Sequence, residues 1–237
     1  MDKMKNLFVN GCSFLNHRHT DSIDVKFSTA ECIKDLGGFE SMTNLARGGR
    51  GNDRIFLTTI SYFENKPKRK EDTFVMIGWT GSQRLDHPTR HKFKPMKPLD
   101  ECWATIKIAD GNLKTFIGMS HKIKTRKSEL DVIHWLIARY YQNVLGLQNY
   151  LKVNKIPYVF YNSLQPMLKD GKKDHKWWFN AVDKTKFFKL NSSHFTWVKE
   201  NNLSISKVDE HPNGEGHTQW AEDLYKYILE KGLINEI

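Results

Sequence analysis

The segment Thr73 to Trp79 (TFVMIGW) is seven residues without a charge, rich in β-branched and aromatic side chains. It reads as the strongest strand of the chain and as the expected centre of a sheet. Two further runs have the same character. Asn6 to Asn10 ends in Gly11, as a buried parallel strand does when it delivers a tight turn. Ile156 to Tyr161 carries Pro157 at its start, where no ladder donor is needed. A weaker strand candidate, Phe39 to Ala46, runs into Gly48, Gly49 and Gly51.

Helical patterns fall between these strands. Asn52 and Asp53 are placed to cap a helix carrying Ile55, Phe56, Thr59, Ile60 and Phe63 at helical spacing. Ser128 opens a long helix with an apolar stripe of Ile133, Leu136, Ile137, Tyr140, Val144, Leu147 and Leu151. The last helix starts near Gly216 and runs through Trp220, Ala221, Leu224, Tyr227 and Ile228. Strands alternating with helices, with glycine-rich turns after the strands, imply a doubly wound parallel α/β sheet. Ligands of such sheets bind beyond the carboxyl ends of the strands.

The 237 residues fit one domain, 1–237, interrupted by a basic insertion at about 84–127 and an aromatic, Lys-rich insertion at about 166–200. With 39% hydrophobic and 12% aromatic residues the chain has material for a core that a disordered chain lacks. No run of eighteen apolar residues occurs, and the first residues offer only Leu7, Phe8 and Val9 where a signal peptide needs more. The expected location is the cytoplasm, with no membrane partner. Cys12, Cys32 and Cys102 match no metal or disulfide framework and are expected as reduced thiols. The net charge of +10 favours a polyanionic partner or substrate, and nucleic acid is one candidate. The excess is concentrated: Arg84 to Lys127 holds eleven Lys/Arg against four Asp/Glu. A solvated surface is the alternative reading of the same charges.

Three stretches carry chemistry. In Asn10-Gly11-Cys12-Ser13-Phe14 the serine follows a strand immediately, so its hydroxyl falls at a strand-to-helix turn near backbone N–H groups. The same serine also suits a helix N-cap. Cys12 is a second nucleophile candidate, although the residue before such a serine tends to face the core, where cysteine is a small apolar group. Asn44 to Asp53 (NLARGGRGND) has glycines that let a backbone N–H face an oxyanion, or that simply make a turn. In Val208 to His217 (VDEHPNGEGH), Asp209 suits the fixing of a histidine tautomer, and His211 the taking of a proton from serine. A polar turn with Asn213 and His217 capping the final helix is the alternative.

Together these stretches resemble the SGNH (GDSL-like) hydrolase family, and more closely the SGNH-like proteins of tailed bacteriophages. The resemblance lies in Gly11 to Phe14, Asn44 to Asn52, Ile77 to Arg84 and Asp209 to His217. It implies a flavodoxin-like three-layer α/β/α sandwich with a central parallel sheet. It implies Ser13 as nucleophile and oxyanion donor, Gly49 as a second donor, His211 as general base and Asp209 as its orienting acid. Asn10, Cys12, Asn52, Trp79 and Arg84 fall around that site as supporting or substrate-contacting residues. The sequence departs from the family in three places. Gly78-Trp79-Thr80-Gly81-Ser82 puts Thr80 where an Asn usually supplies the third oxyanion donor, Cys12 stands where an Asp is common, and Asp209-Glu210-His211 is one residue shorter than the usual Asp-x-x-His. Loss of one oxyanion donor costs about a hundredfold to a thousandfold in rate.

The implied activity is an esterase, deacetylase or related acyl transfer through Ser13, on an acyl-ester or acetylated substrate of polyanionic or glycan type, with no cofactor and no metal. The alternative is an SGNH fold that binds nucleic acid or a protein partner during phage infection through its basic insertion, with Lys92, Lys94, Lys122 and Lys124 on the working surface.

Overall fold

A computed structural model describes residues 4–16, 19–20, 23–24, 27–88, 103–107, 126–166 and 176–234. Its centre is a five-stranded parallel sheet. In chain order the nine strands are β1 (Asn6–Gly11), β2 (His19–Thr20), β3 (Ile23–Asp24), β4 (Ser41–Asn44), β5 (Thr73–Trp79), β6 (Arg84–Pro88), β7 (Trp103–Lys107), β8 (Tyr158–Asn162) and β9 (Phe187–Phe188). The sheet order is β4-β1-β5-β8-β9, so the TFVMIGW strand is indeed the middle one. Among the five sheet strands this is the order 2-1-3-4-5 of flavodoxin-like folds, whose switch point lies beside the first strand.

The alternation of side chains along the buried strands assigns each face its helices. Leu7, Val9, Phe74, Met76, Val159 and Tyr161 face one layer, formed by α1 (Thr29–Leu36) and a C-terminal helix, α6 (Gly214–Glu230), which supply Ile33, Trp220, Leu224 and Ile228. Phe8, Val75, Ile77, Trp79, Tyr158 and Phe160 face the other, formed by α2 (Asn52–Asn65) and α3 (Arg126–Val153). Of the stripe read on α3, Tyr140, Val144, Leu147 and Leu151 are buried, while Ile133 near the start of the helix is exposed. Gly11 and Gly78 are register partners where β1 and β5 end. A Cβ on Gly11 would lie 2.6 Å from Leu15 Cδ1 and 2.7 Å from the Gly78 carbonyl oxygen, so the tight exit of β1 requires glycine there.

Several boundaries differ from the sequence reading. Gly51, not Asn52 or Asp53, is the N-cap of α2, and no side chain caps it, because the Asn52 side chain bonds elsewhere. The last helix begins at Gly214, with the Asn213 side chain accepting from the Gly216 N–H at 2.8 Å. α1 was not foreseen, although Ser28 and Glu31 form a reciprocal capping box, the Ser-x-x-Glu signature of a helix start.

Residues 176–200, read as irregular, form α4 (Lys176–Ala181), the edge strand β9 and α5 (His194–Glu200). A two-residue strand is too short for periodicity to reveal it. Within the basic insertion β6 pairs antiparallel with β7. Lys92, Lys94, Lys122 and Lys124 lie outside the described residues, as do residues 167–175 and Cys102. No helix among the described residues is long and apolar enough to cross a membrane.

Candidate active site

Three turns at the carboxyl end of the sheet meet around Ser13. The first follows β1, where Cys12 is extended and Ser13–Leu15 form a single 3-10 turn closed by the Asn16 N–H on the Ser13 carbonyl. This sharp exit lifts the Ser13 side chain out of the sheet while the Cys12 side chain stays fully buried.

The second turn follows β4. Gly49 sits there at φ 78°, in the left-handed region that glycine adopts at no steric cost, and a Cβ placed on Gly48 would lie 4.0 Å from Ser13 Cβ. Asn44 and Asn16 brace the two turns together. Asn44 Nδ2 donates to the Leu15 carbonyl at 3.0 Å and to Asn16 Oδ1 at 2.9 Å, and Asn16 Nδ2 donates to the Ala46 carbonyl at 2.7 Å.

The third turn precedes α6. Ser13 Oγ lies 2.7 Å from His211 Nε2, and His211 Nδ1 lies 2.6 Å from Asp209 Oδ1. Asp209 reaches the ring across a single intervening residue because its loop is folded back tightly. Ser206 Oγ accepts from the N–H groups of Val208 and Asp209, and the His211 N–H itself donates to Asp209 Oδ1 at 3.2 Å. The Ile205 N–H donates to the His211 carbonyl at 2.8 Å, and Asn213 N–H to the Leu203 carbonyl at 2.8 Å, so both strands of the loop are tied. Phe14 packs on the imidazole with ring centres 4.8 Å apart and planes at 34°. The side chains of Asp209 and His211 are both about one-quarter exposed, so the contact is neither fully desolvated nor free in water.

No family model and no curated protein sequence matches the chain. Among solved structures it is similar over 94% of its length to the lipase Lip_vut3 from a goat rumen metagenome, covering 96% of that chain with TM-score 0.51 and 12% identity. It is similar over 98% of its length to the psychrotrophic esterase EstA from Pseudoalteromonas sp., covering 100% of that chain with TM-score 0.51 and 11% identity. The fold is the one these hydrolases share. At such identities the likeness speaks to fold alone, and the chemistry rests on the residues present here.

Around Ser13 and His211 the remaining expected residues take different places. Asn10 is fully buried and knits β1 to α2: its Nδ2 donates to the Ile55 carbonyl, Thr58 Oγ1 and Thr59 Oγ1, and its Oδ1 accepts from the Gly11 N–H and Arg50 Nη1. Asn52 holds the turn after β5, accepting the Thr80 N–H at 2.9 Å and donating to the Thr80 carbonyl at 3.1 Å.

The Thr80 hydroxyl is buried without a partner, and Thr80 lines a small cavity against α3 with Ser82, Tyr140, Tyr141 and Gln165. The hydrogen bonds of Thr80 run to Asn52 and not to Ser13 or His211. Trp79 is fully buried, edge-on to Phe160 and Tyr140, and forms part of the core beneath the site. Arg84 lines the cleft beside Glu210.

Burial pushes the Cys12 thiol above its usual range, opposed by the Phe14 backbone N–H, the Arg84 charge and Ser163. A raised value means less thiolate at neutral pH, so Cys12 is poorly suited to act as the nucleophile. A thiol-specific disulfide reagent at pH 7.5 is expected to leave Cys12 unmodified in the native chain and to modify it once the chain is unfolded in guanidinium. Peptide mapping before and after unfolding checks this, and rapid native modification would mean that the end of β1 is open.

Two supporting residues escaped the sequence reading. Arg50 is buried and fastens the glycine turn to Asn10. Asp86 is buried and accepts from the Gly51 N–H at 3.1 Å, the Arg54 N–H at 2.9 Å and Arg54 Nη2 at 3.3 Å, which pins the β6 strand of the insertion to the glycine turn. Charged residues in a basic chain give no one-dimensional signal of burial. Among the described residues no three His, Cys, Asp or Glu converge as a metal site.

Proposed function

We propose that this chain is a serine-dependent hydrolase of SGNH type acting on acyl-ester or acetylated substrates. The observation that carries the reading is the continuous line Ser13 Oγ to His211 Nε2 to Asp209, with contacts of 2.7 and 2.6 Å. Asp209 accepts the Nδ1 proton, which leaves Nε2 as the basic nitrogen facing the serine hydroxyl. Ser13 Oγ attacks the ester carbonyl carbon as His211 takes its proton, and the carbonyl π electrons move to oxygen. The resulting oxyanion is received by the backbone N–H groups of Ser13 and Gly49, a reading supported by the approach of the two turns, where a Cβ on Gly48 would lie 4.0 Å from Ser13 Cβ. The intermediate then collapses, the ester C–O bond breaks and His211 returns its proton to the leaving alkoxide. A water, deprotonated by the same imidazole, releases the acid and restores Ser13.

The Pseudoalteromonas esterase is described as inhibited by monoethylphosphonate, and a phosphorus electrophile is likewise the direct test here. A fluorophosphonate probe is expected to label the native chain stoichiometrically, with the label on the peptide containing Ser13. A folded chain that takes up no label, or takes it up elsewhere, has no activated Ser13, and the hydrolase reading falls.

A further inference from the structure

Beside the Ser13–His211 pair lies a cleft of about 260 Å³ lined by Gly81, Gln83, Arg84, Gln165, Phe195 and Glu210, with Leu164 behind. Its lining residues are neighbours of the pair. Glu210 stands in the chain between Asp209 and His211, Phe195 meets Phe14 edge-on at 6.1 Å, and the Arg84 charge is felt at Cys12, next to Ser13. A bound ester with its carbonyl at Ser13 therefore has this cleft nearby for one of its two arms.

The charges of the cleft do not cancel. Glu210 Oε1 accepts from Lys199 Nζ at 2.6 Å, so its carboxylate is already matched. Arg84 Nη1 is buried with no hydrogen-bond partner, and no ion pair joins Arg84 to an acid among the described residues. A guanidinium stripped of water at one nitrogen and unmatched in charge is costly to hold, and an anion supplied from outside offsets that cost. Its planar fork fits the two oxygens of a carboxylate. The amides of Gln83 and Gln165 converge over Gly81, where a Cβ would lie 2.7 Å from one side-chain oxygen and 3.0 Å from the other, and they supply further polar contacts.

We infer that this cleft binds a carboxylate on the substrate through Arg84, so that the preferred esters are those carrying one free carboxylate, such as monoesters of dicarboxylic acids. A dianionic phosphate fits less well, because one guanidinium balances one charge and the Glu210 carboxylate also lines the cleft. The inference rests on the hydrolase reading of Ser13 for its meaning as a substrate site, but the binding itself is separable from turnover.

The test uses non-hydrolysable amides. Calorimetry on the full chain compares N-phenylsuccinamate, which carries a carboxylate, with uncharged N-phenylbutanamide. The charged compound is expected to bind at least about tenfold more tightly, the scale of one charge-assisted hydrogen-bonded contact. Arg84→Met should bring the two dissociation constants together, and Arg84→Lys should keep part of the preference while confirming that a folded variant is being read. Equal affinities in the unmodified chain, binding of neither compound, or a preference that survives Arg84→Met would overturn the carboxylate site. Fluorophosphonate labelling of the same preparations separates the two ideas: label without charge preference sinks the cleft alone, and charge preference without label sinks the hydrolase alone.

Discussion

Ser13→Ala is expected to lower ester turnover by about 10⁶, and Asp209→Asn by about 10⁴, each in a chain whose circular dichroism is unchanged. The two numbers differ because the residues do different things. Without Ser13 there is no atom to form the acyl intermediate, and what survives is water attack assisted by the backbone N–H groups of the two turns. Asp209→Asn leaves the serine and the imidazole in place but presents an amide that donates to Nδ1. The ring then carries its proton on Nε2, the atom 2.7 Å from Ser13 Oγ, and cannot accept the serine proton. The double variant is expected to be no slower than Ser13→Ala alone, since groups that act as a unit lose their function together. Turnover of 4-nitrophenyl acetate by the four proteins decides it. An Asp209→Asn chain that keeps full activity would mean that the 2.6 Å contact merely shapes the loop, whose His211 N–H also rests on Asp209.

How Asp209 reaches His211 across a shortened spacing was not legible in the sequence, and the reason is local. Spacing alone says only that Asp209 and His211 are two residues apart. Ser206, which gathers the N–H groups of Val208 and Asp209 and so folds the carboxylate back onto the ring, is an unremarkable residue in the chain. The sheet was far more legible. TFVMIGW announces a central strand because no position in it tolerates water, and Gly11 and Gly49 announce turns because nothing else fits their backbone. Ser13 was found in one motif and Asp209 with His211 in another, and the fold brings them together at the carboxyl end of the sheet.

Arg50 and Asp86 were missed for the opposite reason. A charged residue in sequence reads as solvent-facing, and only the packed structure reveals one that is buried as a tie between loops. Thr80 is an intermediate case. Its place one residue beyond β5 was foreseen, but Asn52 takes both its backbone N–H and its carbonyl, and Thr80 lines a cavity against α3.

The second large effect is on stability in mild acid and centres on His194, at the start of α5. The imidazole is fully buried and stacked on Trp220 with ring centres 4.5 Å apart and planes at 10°. Burial holds it well below the ordinary histidine range, and the neighbouring His217 and, more weakly, Lys189 and His211 push the same way, against a contribution from the Gly216 backbone. The folded chain thus keeps His194 neutral at pH values where the unfolded chain protonates it. Stability that is present above an unfolded value of about 6.5 is lost as the pH falls below it, at up to about 1.4 kcal/mol per pH unit.

Between pH 6.5 and 4.5 this one residue is therefore expected to weaken folding progressively. Other groups titrate in the same window, so the measurement is a difference. Urea unfolding of the unmodified chain and of His194→Phe, which keeps an aromatic ring on Trp220, should diverge progressively from pH 6.5 to 4.5 in favour of the variant. Curves that stay parallel would mean that the folded chain accommodates a protonated His194. The consequence reaches the active site through packing. His194 meets Phe14 at 5.4 Å, and Phe14 covers the His211 ring, so protonating the buried imidazole loosens the wall behind the general base. Acid loss of activity should therefore have a part that His194→Phe removes.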